Sequence, residues 1–200
     1  MSKMERMTTS KMLKLKRPKL QAPIIKVLSD RFSPTLYSEK PVSEKEIKSI
    51  FEASRWAPSG YNHQPWFFYW ARKGTVSYKK IIICLSDRNQ WAETAPLLVV
   101  ACRTPRCEHC PNGENKFAAH DLGSAVMAAI IEAQSLGVCS RQMGMFDYDK
   151  IVKLLKIPAE NVPTVVIAMG RLGDYAKVND AMLEKEMKGR IRKNVIAKKI

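Results

Sequence analysis

The chain has 200 residues, 46% of them hydrophobic, which suits one domain with a full core and is short for two. No run of about 18 uncharged apolar residues occurs, so no membrane-spanning helix is expected; the opening "MSKMERMTTSKMLKLKRPKL" is basic with no apolar stretch, so no secretory leader is expected and the setting reads as cytoplasmic. The net charge of +15 raises nucleic-acid binding, but residues 1–28 carry +7 and residues 177–200 carry +5, so the excess sits on two ends that read as solvated arms around a near-neutral body.

Residues 1–21 show no apolar periodicity and are read as a basic N-terminal arm. Residues 22–200 are read as a single domain. "PIIKVLSD" gives a short helix. Ser43 followed by Glu46 is a capping-box signature, and Ile47, Ile50, Phe51 and Ser54 follow at helical spacing. A helix is therefore predicted from about 44 to 57, ending before Pro58. "PWFFYWA" is aromatic and β-prone, hence a strand. "YKKIIICL" fits a strand or a buried helix turn, and periodicity leaves both open. "RNQWAETA" looks helical. "PLLVVAC" is an uninterrupted apolar run, which predicts a central strand buried on both faces.

"RTPRCEHCPNGEN" is a polar loop rich in turn formers. Residues 117–137 predict a long helix, with Gly137 closing it. Only Asp121 and Glu132 are charged in it, so it is nearly apolar all round and belongs at the centre. "DYDKIVKLLKI" predicts an amphipathic helix starting at Asp147, and "PTVVIAMG" a second buried strand. The fold class is α+β, a small sheet with a buried helix against it.

Several chemistries lack their motif. There is no Gly-x-Gly-x-x-Gly, no Gly-Lys-Ser/Thr phosphate loop and no Gly-x-Ser-x-Gly elbow. Five cysteines, an odd count, read as reduced thiols. Cys107 and Cys110 are the candidate pair for half a zinc site, with His120 or Cys102 adding ligands. The competing reading is a loop with reduced thiols, and no metal is expected.

A distributed pattern points elsewhere. Arg31-x-Ser33-x-Thr35 precedes the capped helix, Pro58-Ser59-Gly60-x-Asn62-x-Gln64 follows it, and Arg190-x-Arg192 lies near the C-terminus. Two guanidinium clusters with a hydroxyl between them suit one phosphate, because the planar fork grips its oxygens bidentately. The amides of Asn62 and Gln64 suit the edge of a flat heterocycle. The bland reading of this turn is a rigid helix stop.

Five segments, "RFSPTLYSEKPVSEKEI", "ASRWAPSGYNHQPWFFYWA", "NQWAETAPLLVVAC", "HDLGSAVMAAIIEAQSLGV" and "VPTVVIAMGRLGD", resemble in order the landmarks of the FMN-dependent nitroreductase family. The resemblance spans about residues 22 to 196. It implies a mixed, mainly antiparallel sheet with a buried central helix and flanking helices, and it favours helix at "YKKIIICL". It implies a homodimer with FMN at the interface. It implies phosphate and ribityl contacts from Arg31 and Ser33, with Thr35 where the family often has Arg or Lys, and with Arg190 and Arg192 compensating. Pro58, Ser59, Gly60, Asn62 and Gln64 would meet the isoalloxazine from the other subunit. The backbone of Met143 and Gly144 would face flavin N5, and Gly170 and Arg171 would approach the cofactor after the last strand.

The implied activity is ping-pong hydride transfer from NADH or NADPH through FMN to a nitroaromatic, a quinone or a flavin-like acceptor. No catalytic triad is implied. Two alternatives stand beside it: related reductive chemistry such as dehalogenation, and a basic nucleic-acid-binding protein. "CRTPRCEHC" lies outside the family pattern, so its role is open.

Overall fold

Leu97, Val99 and Ala101 pack into one core, and Leu98, Val100 and Cys102 into another. Successive side chains of a strand point to opposite faces, so an apolar run without interruption needs cover on both. That single strand divides the molecule into layers. The structure is a computed structural model that describes residues 7–178, 183–184, 186–194 and 197. Residues 1–6 of the expected arm, and 179–182, 185, 195–196 and 198–200 of the expected domain, lie outside the described residues.

Among the described residues the chain order is α1 (Thr9–Leu15), α2 (Lys26–Asp30), α3 (Glu44–Arg55), β1 (Trp66–Arg72), α4 (Val76–Ile82), β2 (Leu97–Arg103), α5 (Ala118–Ser135), β3 (Cys139–Met143), α6 (Tyr148–Leu155) and β4 (Val162–Gly170). The sheet runs β1-β2-β4-β3, and every pairing in it is antiparallel. Helices α3 and α5 cover one face through Ile47, Ile50, Leu122, Val126 and Ile130. Helices α4 and α6 cover the other through Tyr78, Ile81, Ile82 and Ile151. Each buried Leu or Ile contributes about 1.5–3 kcal/mol.

Local signals account for most boundaries. The capping box at α3 is complete: Ser43 Oγ accepts from the Glu46 N–H, and Glu46 accepts from the Ser43 N–H. "YKKIIICL" is mostly helical, with Thr75 capping α4 through the Tyr78 N–H at 3.2 Å. "RNQWAETA" forms a 3₁₀ helix, Asp87–Thr94. Asp147 caps α6 as expected. Helix α5 ends in a Schellman turn, with the Val138 N–H on the Ala133 carbonyl at 2.8 Å and Gly137 at φ +72°.

Two elements differ from expectation. Strand β3 was not predicted from "CSRQM", because it is an edge strand with one partner and its polar centre carries no apolar run. The N-terminal segment, read as an arm with no predicted element, forms α1, and its Met12 is fully buried against Tyr175 and Leu183. One anchoring side chain leaves no period in a sequence. No helix among the described residues is long and apolar enough to cross a membrane.

Candidate functional site

The two arginine motifs, about 160 positions apart, meet in one cavity of about 380 Å³. Lys16, Arg31, Ser33, Lys188, Arg190 and Arg192 line it, together with Phe32, Gly189 and Ile191. Five of these side chains are cationic and none is acidic. The position of Arg190 is fixed from both sides: its Nη1 donates to the Lys16 carbonyl at 3.1 Å and also to the Ser29 carbonyl. Lys16 Nζ donates to the carbonyls of Glu186 and Lys188, the latter at 2.8 Å. Arg31 Nη1 lies 3.5 Å from Ser33 Oγ.

The electrostatics of this set are unfavourable as it stands. Burial, and then the charge of Arg192, lower the pKa of Arg31. Burial, and then Arg31 and Arg192, lower that of Arg190, against a small opposing pull from Asp30. Burial, with Arg141 and Arg190 adding, lowers that of Lys16, which Glu186 partly offsets. Crowded cations that destabilise one another are what an anion relieves. The donor set, guanidinium forks with a serine hydroxyl beside them, fits a phosphate monoester.

Not every predicted contact joins this cavity. Thr35 is buried, and its N–H and hydroxyl both donate to Glu186 Oε1, the N–H at 2.6 Å. Thr35 is thus engaged by a carboxylate rather than lining the cationic cavity. Arg171 pairs with Glu46 and reaches the Pro41 carbonyl at 3.5 Å, bracing the start of α3. Gly170 is dictated by packing, since a Cβ there would lie 2.5 Å from Pro96 Cδ. Met143 is buried at the end of β3, and nothing lies within 4 Å of where a Cβ on Gly144 would stand.

The turn after α3 is a separate piece of surface. Tyr61, Asn62 and Gln64 have φ of +50°, +58° and +49°. Each left-handed non-glycine residue costs about 1–3 kcal/mol, and such strain collects at ligand clamps and active sites. The turn is held by the Gly60 N–H on Asp121 Oδ2 at 3.1 Å and the Gln64 N–H on Ser59 Oγ at 3.0 Å. Gln64 Nε2 also donates to the Asn62 carbonyl at 3.0 Å, so part of its amide is used inside the turn. Tyr61 is 97% exposed and Trp56, at the end of α3, is 75% exposed. The turn residues do not line the cationic cavity of their own chain.

The nitroreductase family model matches residues 28–95 and 84–171. The chain belongs to the nitroreductase family. This nitroreductase is 28% identical to a chain in a crystal structure of an oxidoreductase containing FMN, with a TM-score of 0.81, covering 91% of this chain and 94% of that one. It is 27% identical to an Archaeoglobus fulgidus protein provisionally named an NADH dehydrogenase/NAD(P)H nitroreductase, over 73% of this chain and 83% of that protein. It is 25% identical to the FMN reductase [NAD(P)H] of Bacillus subtilis, over 76% of this chain and 66% of that protein.

Two residues at or beside the candidate site, Lys16 in its lining and Arg141 next to Ser33, were not anticipated from sequence. Lys16 arrives on the C-terminal side of α1, from the segment expected to be a solvated arm. Arg141 arrives on the edge strand β3, where its Nη1 donates to the Ser33 carbonyl at 2.9 Å and its guanidinium stacks over Trp91. Neither stands in a motif.

The cysteine loop departs from expectation. Cys107 and Cys110 are joined in a disulfide, not free thiols. The loop folds into consecutive tight turns, with the Cys110 N–H on the Cys107 carbonyl and the Gly113 N–H on the Cys110 carbonyl, which brings the two Cα atoms to 5.3 Å. Cys84, Cys102 and Cys139 are free and buried. The anticipated extra ligands, Cys102 and His120, do not join the pair: Cys102 is in the sheet core, and His120 lies beside Asp121. His63 joins it instead, with Nε2 at 3.8 Å from Cys107 Sγ and 3.9 Å from Cys110 Sγ.

Proposed function

We propose that this nitroreductase is an FMN-dependent NAD(P)H oxidoreductase that reduces an electron-poor acceptor such as a quinone or a nitroaromatic. The observation that carries the reading is the cavity that Arg31, Ser33, Arg190 and Arg192 line together, with no carboxylate in its lining. Arg31, Arg190 and Arg192 would hold the phosphate, and Ser33 would donate or accept beside it. When bound, FMN supplies hydride acceptance from NAD(P)H and delivery to the acceptor.

The backbone N–H of Gly144, on a residue with no side chain and open space around it, would offer a donor at the end of β3. The turn from Pro58 to Gln64 would cover the cofactor ring held by the other protomer of a homodimer, since it stands apart from its own cavity and presents Tyr61 to solvent. No side chain is assigned as a general acid. A cytoplasmic setting, where NAD(P)H is the reductant pool, belongs to the same reading.

The test is direct. Purified protein should carry one FMN per chain, released on denaturation, and should oxidise NAD(P)H with a quinone in parallel-line steady-state kinetics. Protein that takes up no FMN at concentrations saturating for its relatives would overturn the assignment.

A further inference from the structure

The position of His63 beside the two cysteines follows from the sheet. Strands β1 and β2 are antiparallel, with Trp66 opposite Arg103. The chain just before β1 and the chain just after β2 are therefore neighbours, and the Thr104 N–H donates to the Pro65 carbonyl at 3.0 Å to extend the pairing. His63 lies three residues before β1, and Cys107 lies four after β2. The cysteine loop is itself closed by an isolated antiparallel backbone bridge between Arg106 and Glu114, with the Cys107 N–H on the Gly113 carbonyl at 3.0 Å and the Asn115 N–H on the Pro105 carbonyl at 2.7 Å. Asn112 and Gly113 turn the chain back at φ +62° and +70°. The two sulfurs and the imidazole are thus held on two anchored segments.

We propose that His63, Cys107 and Cys110 form, in the dithiol state, a three-ligand site for a thiophilic divalent cation such as Zn²⁺. The three ligand atoms lie within 4.8 Å of one another, with Cys107 buried and the other two half-buried. In a tetrahedral site with Zn–S of about 2.3 Å and Zn–N of about 2.0–2.1 Å, sulfur and nitrogen stand about 3.6 Å apart. The two S···N separations of 3.8 and 3.9 Å need only a small adjustment, while the two sulfurs, bonded here, separate to about 3.8 Å on reduction to share the cation. Two thiolates and an imidazole select Zn²⁺ over the oxygen-seeking Mg²⁺ and Ca²⁺. The Cys-x-x-Cys spacing is the ordinary one for a zinc half-site, and the sheet supplies the third ligand that the sequence spacing does not.

Disulfide and metal exclude each other, so the site is redox-controlled. A dithiol reductant cleaves the Sγ–Sγ bond, giving two thiols and becoming a cyclic disulfide itself. The cation then displaces both thiol protons to solvent and bonds both thiolates and His63 Nε2, leaving one position for water. Metal binding would tie the cysteine loop to the strained turn at Tyr61–Gln64. This site does not rest on the assignment of FMN.

The test is a Zn²⁺ titration of the full chain against a chromophoric chelator, with and without prior dithiol reduction. Reduced protein should bind one Zn²⁺ per chain, and oxidised protein none at the same site. Co²⁺ in the reduced protein should give the intense d–d absorption of a tetrahedral thiolate site, to the red of any flavin band. Cys107→Ser with Cys110→Ser should abolish binding, His63→Ala should weaken it about tenfold or more, and His109→Ala should leave it unchanged. Far-UV circular dichroism of each variant separates loss of the site from loss of the fold, and His63→Ala still decides the matter if the double variant misfolds. No stoichiometric Zn²⁺ in the reduced protein, or binding insensitive to His63→Ala, would overturn the three-ligand site.

Discussion

Arg190 donates through Nη1 to the main-chain carbonyl of Lys16 at 3.1 Å, joining the two basic ends of the chain. Lys16 from one of the ends that read in the sequence as solvated arms, and Lys188, Arg190 and Arg192 from the other, line one cavity. The surplus of cations at the ends therefore has a local structural consequence, a site short of negative charge.

Arg31→Ala or Arg192→Ala should weaken FMN binding by roughly 1.5–3 kcal/mol, the worth of a charge-assisted contact, or about tenfold to a hundredfold and more. Riboflavin, which lacks the phosphate, should bind each variant as it binds the parent. Titration of apoprotein followed by flavin fluorescence reads both. Equal losses for FMN and riboflavin would place the phosphate elsewhere.

Gly170→Ala should destabilise the fold by about 1–3 kcal/mol, the usual cost of overpacking. A Cβ would meet Pro96 Cδ at 2.5 Å and Tyr37 Cδ1 at 3.1 Å, and both neighbours sit in well-packed surroundings. Urea unfolding measures the loss. An unchanged midpoint would show that the Pro96 ring yields.

The parts of this fold legible in sequence are those where one residue class repeats. Strands β2 and β4 declare themselves by apolar runs, α5 by its length and its Gly137 stop, α3 by Ser43 and Glu46. Strand β3 does not, because an edge strand with Ser140, Arg141 and Gln142 at its centre looks like a loop. The same distinction holds at the site. Arg31-x-Ser33 and Arg190-x-Arg192 are short motifs and were visible. Lys16 and Arg141 are single residues delivered by an unexpected helix and an unexpected strand. Thr35 went to Glu186, a buried carboxylate that no local pattern announces. His63 reaches the cysteines only through the β1–β2 pairing, a long-range fact.

Acid should weaken the protein through Glu46. The Ser43 N–H is the largest cause holding its carboxyl below the usual range, with the Ser43 hydroxyl and Arg171 adding and burial opposing. A carboxyl whose pKa is depressed by folding contributes stability that is present above its unfolded value, about 4.3, and is lost as pH falls through the folded value. Unfolding midpoints measured downward from about pH 5 should fall less steeply in Glu46→Gln than in the parent. Ser43→Ala should in addition cost about 0.5–2 kcal/mol at neutral pH through the lost cap. Parallel acid limbs for Glu46→Gln and parent would rule this carboxyl out.

The last expectation is the dimer. Helix α5 buries Leu122, Val126 and Ile130 against the sheet, but Met127 on it is 37% exposed and Phe117, its N-cap, 66% exposed. Gly123, one turn before Met127, is exposed as well, so the stripe is flat enough for close approach. Exposed apolar residues on a central helix suit an interaction face. If a second copy covers it, the parent chain should sediment as a dimer at micromolar concentration, and Met127→Glu should raise the dissociation constant by about tenfold or more, since a buried unpaired carboxylate costs well over 1.4 kcal/mol. FMN should be lost with the dimer, because the Pro58–Gln64 turn would then have no partner cavity to cover. Sedimentation velocity with absorbance at a protein and a flavin wavelength follows both quantities in one run. A parent chain that sediments as a monomer with one FMN bound would sink the dimer and, with it, the placement of the turn.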